Sequence, residues 1–265
     1  MKKKFCKVLF LFLFLGLGLW GCRNNQPATL KVGTISGPET ELMETAQAVA
    51  KKQYDLNFKI VAFNDYNLPN AALNDGSIDA NVFQHSLFLQ QQLNDHHYNL
   101  VTIGKTFVYP MGIYSKKIKR LADLDDGSHV AIPNDPSNES RALLLLEKAK
   151  LIELDHNAGV DITPVDIKSN PFNLVITALD AANLPRALDD VDLAVINTNY
   201  AIPSGLSPNK ALFLEDKDSP YANLVVVRVN DKNDPRLQQL VASLHSPQVI
   251  AKAKELFGDG AVPAF

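Results

Sequence analysis

The chain has 265 residues, of which 46% are hydrophobic and 21% charged, a composition typical of a globular protein rather than a disordered one. Residues 1–21 carry four lysines and no acid, so the other 244 residues hold 22 basic side chains against 29 acidic ones, a formal net charge of −7. This balance argues against a nucleic-acid binder, which needs many cations to neutralise phosphates. Those 244 residues contain one cysteine, which excludes an internal disulfide and a zinc site built on cysteine pairs.

The amino-terminal segment has the pattern of a lipoprotein leader. Four lysines precede the apolar run VLFLFLFLGLGLW, whose 13 residues span about 20 Å as a helix, too short for a bilayer core of about 30 Å. The run ends in Leu-Trp-Gly-Cys, which resembles a bacterial lipobox. We therefore expect residues 1–21 to be a cleaved signal peptide, Cys22 to carry lipid including palmitate, and residues 22–29 to form a polar tether. The alternative is an ordinary secretory leader that happens to precede a cysteine.

Strand and helix patterns alternate along the rest of the chain. The first half predicts strands at residues 30–34, 57–63 and 79–83, with one helix beginning at Pro38 and another between Pro69 and Gly76. The second half predicts strands at 113–115, 129–132, 165–169, 193–196 and 224–229, and helices at 139–150, 182–188, 235–244 and 246–257. Such alternation predicts an α/β protein with mainly parallel sheets.

The element pattern restarts near Met111, which divides the chain into two α/β lobes of ordinary domain size. We assign residues 30–109 and 225–265 to lobe 1 and residues 110–224 to lobe 2. No linker rich in glycine, serine or proline separates the lobes, so we expect a close double crossover between them.

The sequence contains no recognisable catalytic constellation. A Gly-x-Ser-x-Gly elbow and a phosphate-binding loop are both missing, and the six histidines do not have the spacing of metal ligands. We therefore predict that the chain is not an enzyme and holds no catalytic residue, cofactor or metal.

Polar side chains collect where predicted strands end and helices begin, which is where open α/β sheets bind ligands. Arg141 lies in such a segment and can offer a two-pronged contact to a carboxylate. Asn197 follows the strand at 193–196 and Asn223 precedes the strand at 224, and amides suit a zwitterion because they donate and accept hydrogen bonds. Aromatic side chains of the first half can supply an apolar wall: Tyr66, Phe83, His85 and Phe88. Taken singly, each of these residues can equally be a core or surface residue.

Six segments together resemble the methionine-binding lipoproteins that serve ABC importers. They are residues 63–70 (FNDYxLPN), 79–85 (DANxFQH), 106–110 (TFVYP), 133–143 (PNDPSNxxRAL), 184–197 (LPRALDDVDLAVIN) and 215–221 (EDKDSPY). These segments follow one another along essentially the whole chain after the leader.

The resemblance implies a two-lobed periplasmic-binding-protein fold, type II-like, that clamps its ligand in the cleft between the lobes. It implies that Arg141 pairs with the ligand carboxylate and that Asn138, Asn197 and Asn223 complete the polar shell. Tyr66, Phe83, His85 and Phe88 would line the pocket for the thioether side chain. Two departures affect ligand preference: Phe88 stands where a tyrosine is common in the family, and Glu139-Ser140 replaces a less polar pair.

By this resemblance, we expect a monomeric, lipid-anchored protein of the bacterial cell envelope that faces the periplasm or the exterior. It would capture D- or L-methionine and deliver it to the permease and ATPase complex of an ABC importer, with direct contact to the permease. Nucleic acid is not an expected partner. The alternatives are a lipoprotein that binds another small amino acid or a methionine-containing peptide, and a lipoprotein that acts mainly in protein interactions.

Overall fold

A computed structural model describes residues 29–158, 161–216 and 218–265. The signal peptide, Cys22 and all of the tether except residue 29 lie outside the described residues. The first part of the chain alternates strands and helices. Its elements are β1 (Leu30–Ile35), α1 (Pro38–Tyr54), β2 (Phe58–Phe63), α2 (Pro69–Asn74), β3 (Ala80–His85), α3 (Ser86–His96) and β4 (Leu100–Val108).

The middle part forms a second set of elements, and the chain then returns to the first. The middle elements are β5 (Gly112–Tyr114), β6 (His129–Pro133), α4 (Pro136–Lys148), β7 (Glu153–Leu154), β8 (Ile167–Ser169), β9 (Val175–Leu179), α5 (Leu184–Ala187), β10 (Leu193–Ile196), α6 (Thr198–Ala201) and β11 (Phe213–Leu214). The returning elements are β12 (Ala222–Arg228), α7 (Pro235–Leu244), α8 (Pro247–Phe257) and β13 (Val262–Pro263).

The strands form two main sheets, one in each lobe. The six-stranded sheet has the order β13-β4-β12-β3-β1-β2, and the five-stranded sheet has the order β11-β5-β10-β6-β9, while β7 and β8 form a small hairpin sheet. The prediction of mainly parallel sheets is wrong for both. β1 pairs in parallel with β2 and β3, but β12 enters between β3 and β4 antiparallel to each. In the other sheet β10 is parallel to β6 and antiparallel to β5, because the chain reverses direction at each crossover.

The chain crosses between the sheets twice. β4 ends at Val108 and β5 begins at Gly112, and the return runs from β11, which ends at Leu214, to β12, which begins at Ala222. β12 pairs with β4 from Ala222 onward, so Asn223 lies on the six-stranded sheet, whereas the sequence prediction ended lobe 2 at residue 224. The assignment of residues 30–109 and 225–265 to one lobe and 110–224 to the other stays a prediction.

Several elements differ from the sequence prediction. Helix α3 and strands β4 and β9 were not predicted, and the strand expected at 165–169 is a 3-10 turn over Pro164–Asp166 followed by the short β8. Helix α3 escaped notice because it begins directly after β3, without the glycine or proline that usually marks such a boundary.

Each sheet packs its helices over a separate hydrophobic core. Helices α1, α7 and α8 pack against the six-stranded sheet. The buried apolar residues of α1 include Leu42, Met43 and Ala46. In the second, α4 contributes Leu143 and Leu146, both fully buried. Fully burying one leucine stabilises a fold by about 1.5–3 kcal/mol. These cores fix the positions of the strand ends and helix starts. Those segments form the cavity between the two sheets.

Candidate ligand-binding site

The eight residues predicted to bind the ligand all line one cavity to which both lobes contribute. The empty space between the lining atoms is about 380 Å³, which includes space open to solvent. One side supplies Tyr66, Phe83, His85, Phe88 and Asn223, and the other supplies Asn138, Arg141 and Asn197. That they contact a ligand stays a prediction.

Three aromatic rings form a continuous apolar wall in this cavity. Phe83 and Phe88 are buried and meet edge to face with 5.7 Å between ring centroids, and the ring of Tyr66 lies 5.9 Å from each. Ile35 at the end of β1 belongs to the same apolar cluster as the two phenylalanines. The wall therefore offers packed carbon surface to an apolar ligand side chain.

His85 joins this wall to the polar part of the cavity. Its Nδ1 accepts a hydrogen bond from the backbone N–H of Phe88 (3.2 Å) and so caps the start of α3. Burial, with the nearby charge of Arg141, lowers the pKa of His85 to about 3. The imidazole is therefore neutral, carries its proton on Nε2, and presents that N–H to Oδ1 of Asn138 at 3.4 Å.

A carboxylate fixes the orientation of two amides on the other side of the cavity. Asp135 caps α4 and accepts from both the backbone N–H and the Nδ2 group of Asn138, at 3.0 and 2.9 Å to Oδ1. The Oδ1 of Asn138 therefore faces the cavity and accepts from Nδ2 of Asn197 at 3.0 Å. Oδ1 of Asn197 is buried and has no hydrogen-bond partner among the described residues. The cavity thus contains an amide oxygen that needs a donor.

Arg141 lies one helical turn after Asn138 and is held on three sides. Its Nε donates to Oε1 of Glu215 at 3.0 Å, and Nη2 donates to Oε2 of the same carboxylate and to the backbone oxygen of Tyr109 at 3.0 Å. The guanidinium also lies 4.1 Å from the ring centroid of Tyr221. The predicted two-pronged contact is therefore made to Glu215 in this structure, and Nη1 takes part in none of these bonds.

Asn223 lies at an irregularity of β12, where the register of the strand shifts against both neighbours. Such a bulge turns a side chain away from the regular alternation of a strand. The side chain of Asn223 donates from Nδ2 to Oε1 of Glu39 at 3.3 Å. Asn223 thus connects the predicted polar shell to a carboxyl group that the sequence reasoning did not include.

Sequence reasoning missed several residues of the cavity and its supports. Those lining it are Glu39, Gln84, Tyr109, Thr198 and Asn199, and Glu215 and Tyr221 contact Arg141. Glu39 directly follows Pro38 at the start of the first predicted helix, where an acid is common and by itself indicates no site. The available signal was its position in the first helical turn after β1, a strand buried at five of its six positions, at the same sheet edge as the other site residues.

The chain resembles known proteins along nearly its whole length. The family model described as NlpA lipoprotein matches residues 30–265. The chain belongs to the NlpA lipoprotein family. The relative D-methionine-binding lipoprotein MetQ of Salmonella typhimurium is 51% identical over 251 residues, which are 93% of each protein.

Solved structures of this kind agree with the fold. A periplasmic substrate-binding protein of an ABC transporter from Coxiella burnetii is 61% identical, with a TM-score of 0.86 over 89% of this chain and 100% of its own. A nutrient binding protein from Burkholderia cenocepacia bound to methionine is 48% identical, with a TM-score of 0.88 over 89% and 100% of the two chains. The predicted family and the two-lobed periplasmic-binding-protein fold are confirmed, and these relatives are named as binding proteins rather than enzymes.

The described part of the chain has neither a membrane-spanning helix nor a cluster of metal-ligating side chains. Every helix within residues 29–158, 161–216 and 218–265 is too short or too polar to span a bilayer. Over the same ranges, no three His, Cys, Asp or Glu side chains are grouped as a metal site requires.

Proposed function

We propose that this chain is the binding protein of an ABC importer and captures methionine, in its D form, its L form or both. One observation carries the proposal: a single cavity combines a cation and oriented amides with a wall of aromatic rings. A free amino acid with an apolar side chain has matching parts. Relatives named for methionine binding, and a relative bound to methionine, favour that amino acid.

The polar end of the cavity can hold the charged end of the ligand. Because Nε and Nη2 of Arg141 are engaged with Glu215, the ligand carboxylate contacts the arginine through Nη1. Oδ1 of Asn197 lacks a donor among the described residues, and the ammonium is the group of methionine that can supply one. Asn138 and Asn223 complete the shell around these two contacts.

The aromatic end can hold the thioether. A sulfur near ring edges gains about 0.3–1.5 kcal/mol over an equivalent methylene. Phe88 brings no hydroxyl to this wall, and the hydroxyl of Tyr66 donates to Oδ1 of Asn199 at 2.7 Å. The polar atom of Tyr66 is thereby satisfied, and the ring contributes apolar surface to the wall.

Delivery of the ligand depends on the two lobes and on the membrane. Because a ligand in this cavity contacts both lobes, it stabilises their closed arrangement, which the permease distinguishes from the open one. Acylation of Cys22 after removal of residues 1–21 would hold the monomer at the envelope membrane, facing the periplasm or the exterior. We infer that no reaction follows binding and that the ligand is released unchanged.

Isothermal titration of the full chain, purified in detergent, tests the ligand. We expect methionine to bind more tightly than leucine, and norleucine to bind up to roughly tenfold more weakly than methionine because its methylene replaces the sulfur. Residues 22–265 contain no tryptophan, so heat is a better readout than intrinsic fluorescence. Absence of heat with both methionine enantiomers would end the proposal, as would recovery of altered methionine by mass spectrometry.

A further inference from the structure

The cavity contains a carboxyl group that the contacts above leave without a role. Glu39 stands in the first turn of α1, lines the cavity and is only 5% exposed. A buried carboxyl group usually has a cationic partner, because desolvating an unpaired charge is costly. No salt bridge to Glu39 is present within the described ranges of the chain. Its observed partners are two neutral amides at long distances, Nδ2 of Asn199 at 3.4 Å and Nδ2 of Asn223 at 3.3 Å.

The position of Glu39 is complementary to that of Arg141. The carboxyl group comes from the helix that follows β1, in one lobe, and the guanidinium comes from α4 in the other. Tyr109 connects the two regions: its backbone oxygen accepts from Arg141, and the charge of Glu39 contributes to the raised pKa of its hydroxyl. The cavity therefore has a cation and a carboxyl group that a zwitterion can contact together.

We propose that Glu39 is the carboxylate that receives the ammonium group of the bound amino acid. The inference rests on the proposed function, since it assigns a subsite of the same cavity. The long amide contacts leave Glu39 able to accept further hydrogen bonds, because each carboxylate oxygen can accept two. An ammonium brings three donors and a positive charge, whereas the partners of Glu39 among the described residues are neutral amides.

Binding in this way changes the protonation of Glu39. Burial raises the pKa of Glu39 to about 8, although the hydrogen bonds from Asn199 and Asn223 act to lower it. At pH 7 most of the free protein therefore holds this proton. An adjacent ammonium favours the carboxylate, so the proton leaves for solvent as the ligand binds. We therefore expect proton release on binding at pH 7, and we expect it to fall towards zero as the pH rises above 8.

Other titratable groups near Glu39 do not supply this proton. Burial, together with a smaller contribution from the charge of Glu39, raises the pKa of the tyrosines that face it, which therefore stay neutral near pH 7: Tyr66, Tyr109 and Tyr200. His85 of the same cavity is neutral because burial lowers its pKa to about 3. Burial also raises the pKa of Asp135, which bonds Asn138 of the cavity, so proton release is assigned to Glu39 by its loss in the variant Glu39→Gln.

The experiment compares two ligands and three proteins. The ligands are methionine and its desamino analogue methylthiobutanoate, which keeps the carboxylate and thioether but has hydrogen in place of the ammonium. The proteins are the wild-type chain, Glu39→Gln, and the control Glu44→Gln, an exposed position on the same helix. Titration at pH 7 in phosphate and in Tris, two buffers of different ionisation enthalpy, counts released protons.

We expect Glu39→Gln to weaken methionine binding by about 10- to 150-fold, the range of hydrogen bonds to charged groups, and to abolish proton release. Binding of the desamino analogue should change little, and Glu44→Gln should behave as wild type. The inference is overturned if Glu39→Gln keeps the wild-type preference for methionine over the analogue. It is also overturned if wild-type protein binds methionine without releasing protons at pH 7. If wild-type protein binds neither ligand, the proposed function itself fails.

Discussion

Arg141 has two roles that ordinary mutagenesis would confuse. It is the predicted contact of the ligand carboxylate, and it also neutralises Glu215, with which it forms a buried pair. Removing one member of such a pair leaves an uncompensated buried charge and costs about 3–5 kcal/mol, whereas replacing both by apolar residues is often neutral. Loss of binding in a single variant would therefore reflect unfolding as readily as loss of the contact.

A pair of variants separates these roles. We expect Arg141→Met to lower the free energy of unfolding by about 3–5 kcal/mol in urea denaturation, because Glu215 is left unpaired. The double variant Arg141→Met/Glu215→Leu should recover most of that stability and still fail to bind methionine. A stable double variant that binds methionine as tightly as wild type would remove Arg141 from the ligand site.

At the residue level, resemblance predicted the groups around the cavity but not how they are bonded. Glu39 contacts Asn199 and Asn223, which are 160 and 184 positions away along the chain. Its burial is therefore a property of the folded arrangement, and local sequence predicts only an acid at a helix start. The pairing of Arg141 with Glu215, 74 positions apart, escaped prediction for the same reason.

At the level of elements, the site depends on two helix starts. His85 ends β3 and caps α3, while Asp135 follows β6 and caps α4. In both cases the capping side chain also fixes a cavity group: His85 presents its Nε2 to Asn138, and Asp135 orients the amide of Asn138. Local helix formation and ligand recognition therefore share the same hydrogen bonds.

Two matched capping residues test this coupling. Asp135 precedes Pro136 and Asp234 precedes Pro235, and each caps a helix, but only the first helix reaches the cavity. We expect Asp135→Ala and Asp234→Ala each to cost about 1 kcal/mol of stability in urea denaturation. Only Asp135→Ala should also weaken methionine binding in titration calorimetry, because the amide of Asn138 is then free to rotate. Equal affinities in the two variants would contradict the coupling.

Element prediction succeeded at several boundaries marked by proline, although α4 begins at Pro136, three residues before the predicted start at 139. The helices beginning at Pro38, Pro235 and Pro247 follow that pattern, and the structure has them there. Sheet direction was not predictable in this way. The residues of β12 would suit either parallel or antiparallel pairing. The direction of this strand depends on how the second crossover returns the chain to the six-stranded sheet.

For the whole molecule, the predicted anchor joins the chain to one lobe. Cys22 precedes Leu30 by eight residues, which extend at most about 28 Å, and Leu30 begins β1 of the six-stranded sheet. An acylated Cys22 would therefore hold that lobe near the membrane, and the other lobe would move relative to it.

The two cysteines of the chain provide an internal control for the anchor. We expect Cys22→Ala to abolish incorporation of labelled palmitate and to shift the protein from the membrane fraction to the soluble envelope fraction. Cys6→Ala alters only the leader and should leave labelling and fractionation unchanged. Palmitate incorporated into Cys22→Ala would contradict the assignment of Cys22.

The surroundings of Arg141 also determine how a bound molecule could drive the lobes. Tyr109 belongs to the first crossover, and Glu215 and Tyr221 belong to the second, so the guanidinium contacts both segments that join the sheets. A small displacement close to a hinge between two lobes produces a much larger displacement far from that hinge. A shift of Arg141 by a fraction of an ångström would accordingly become several ångströms at the lobe tips, where another protein can detect it.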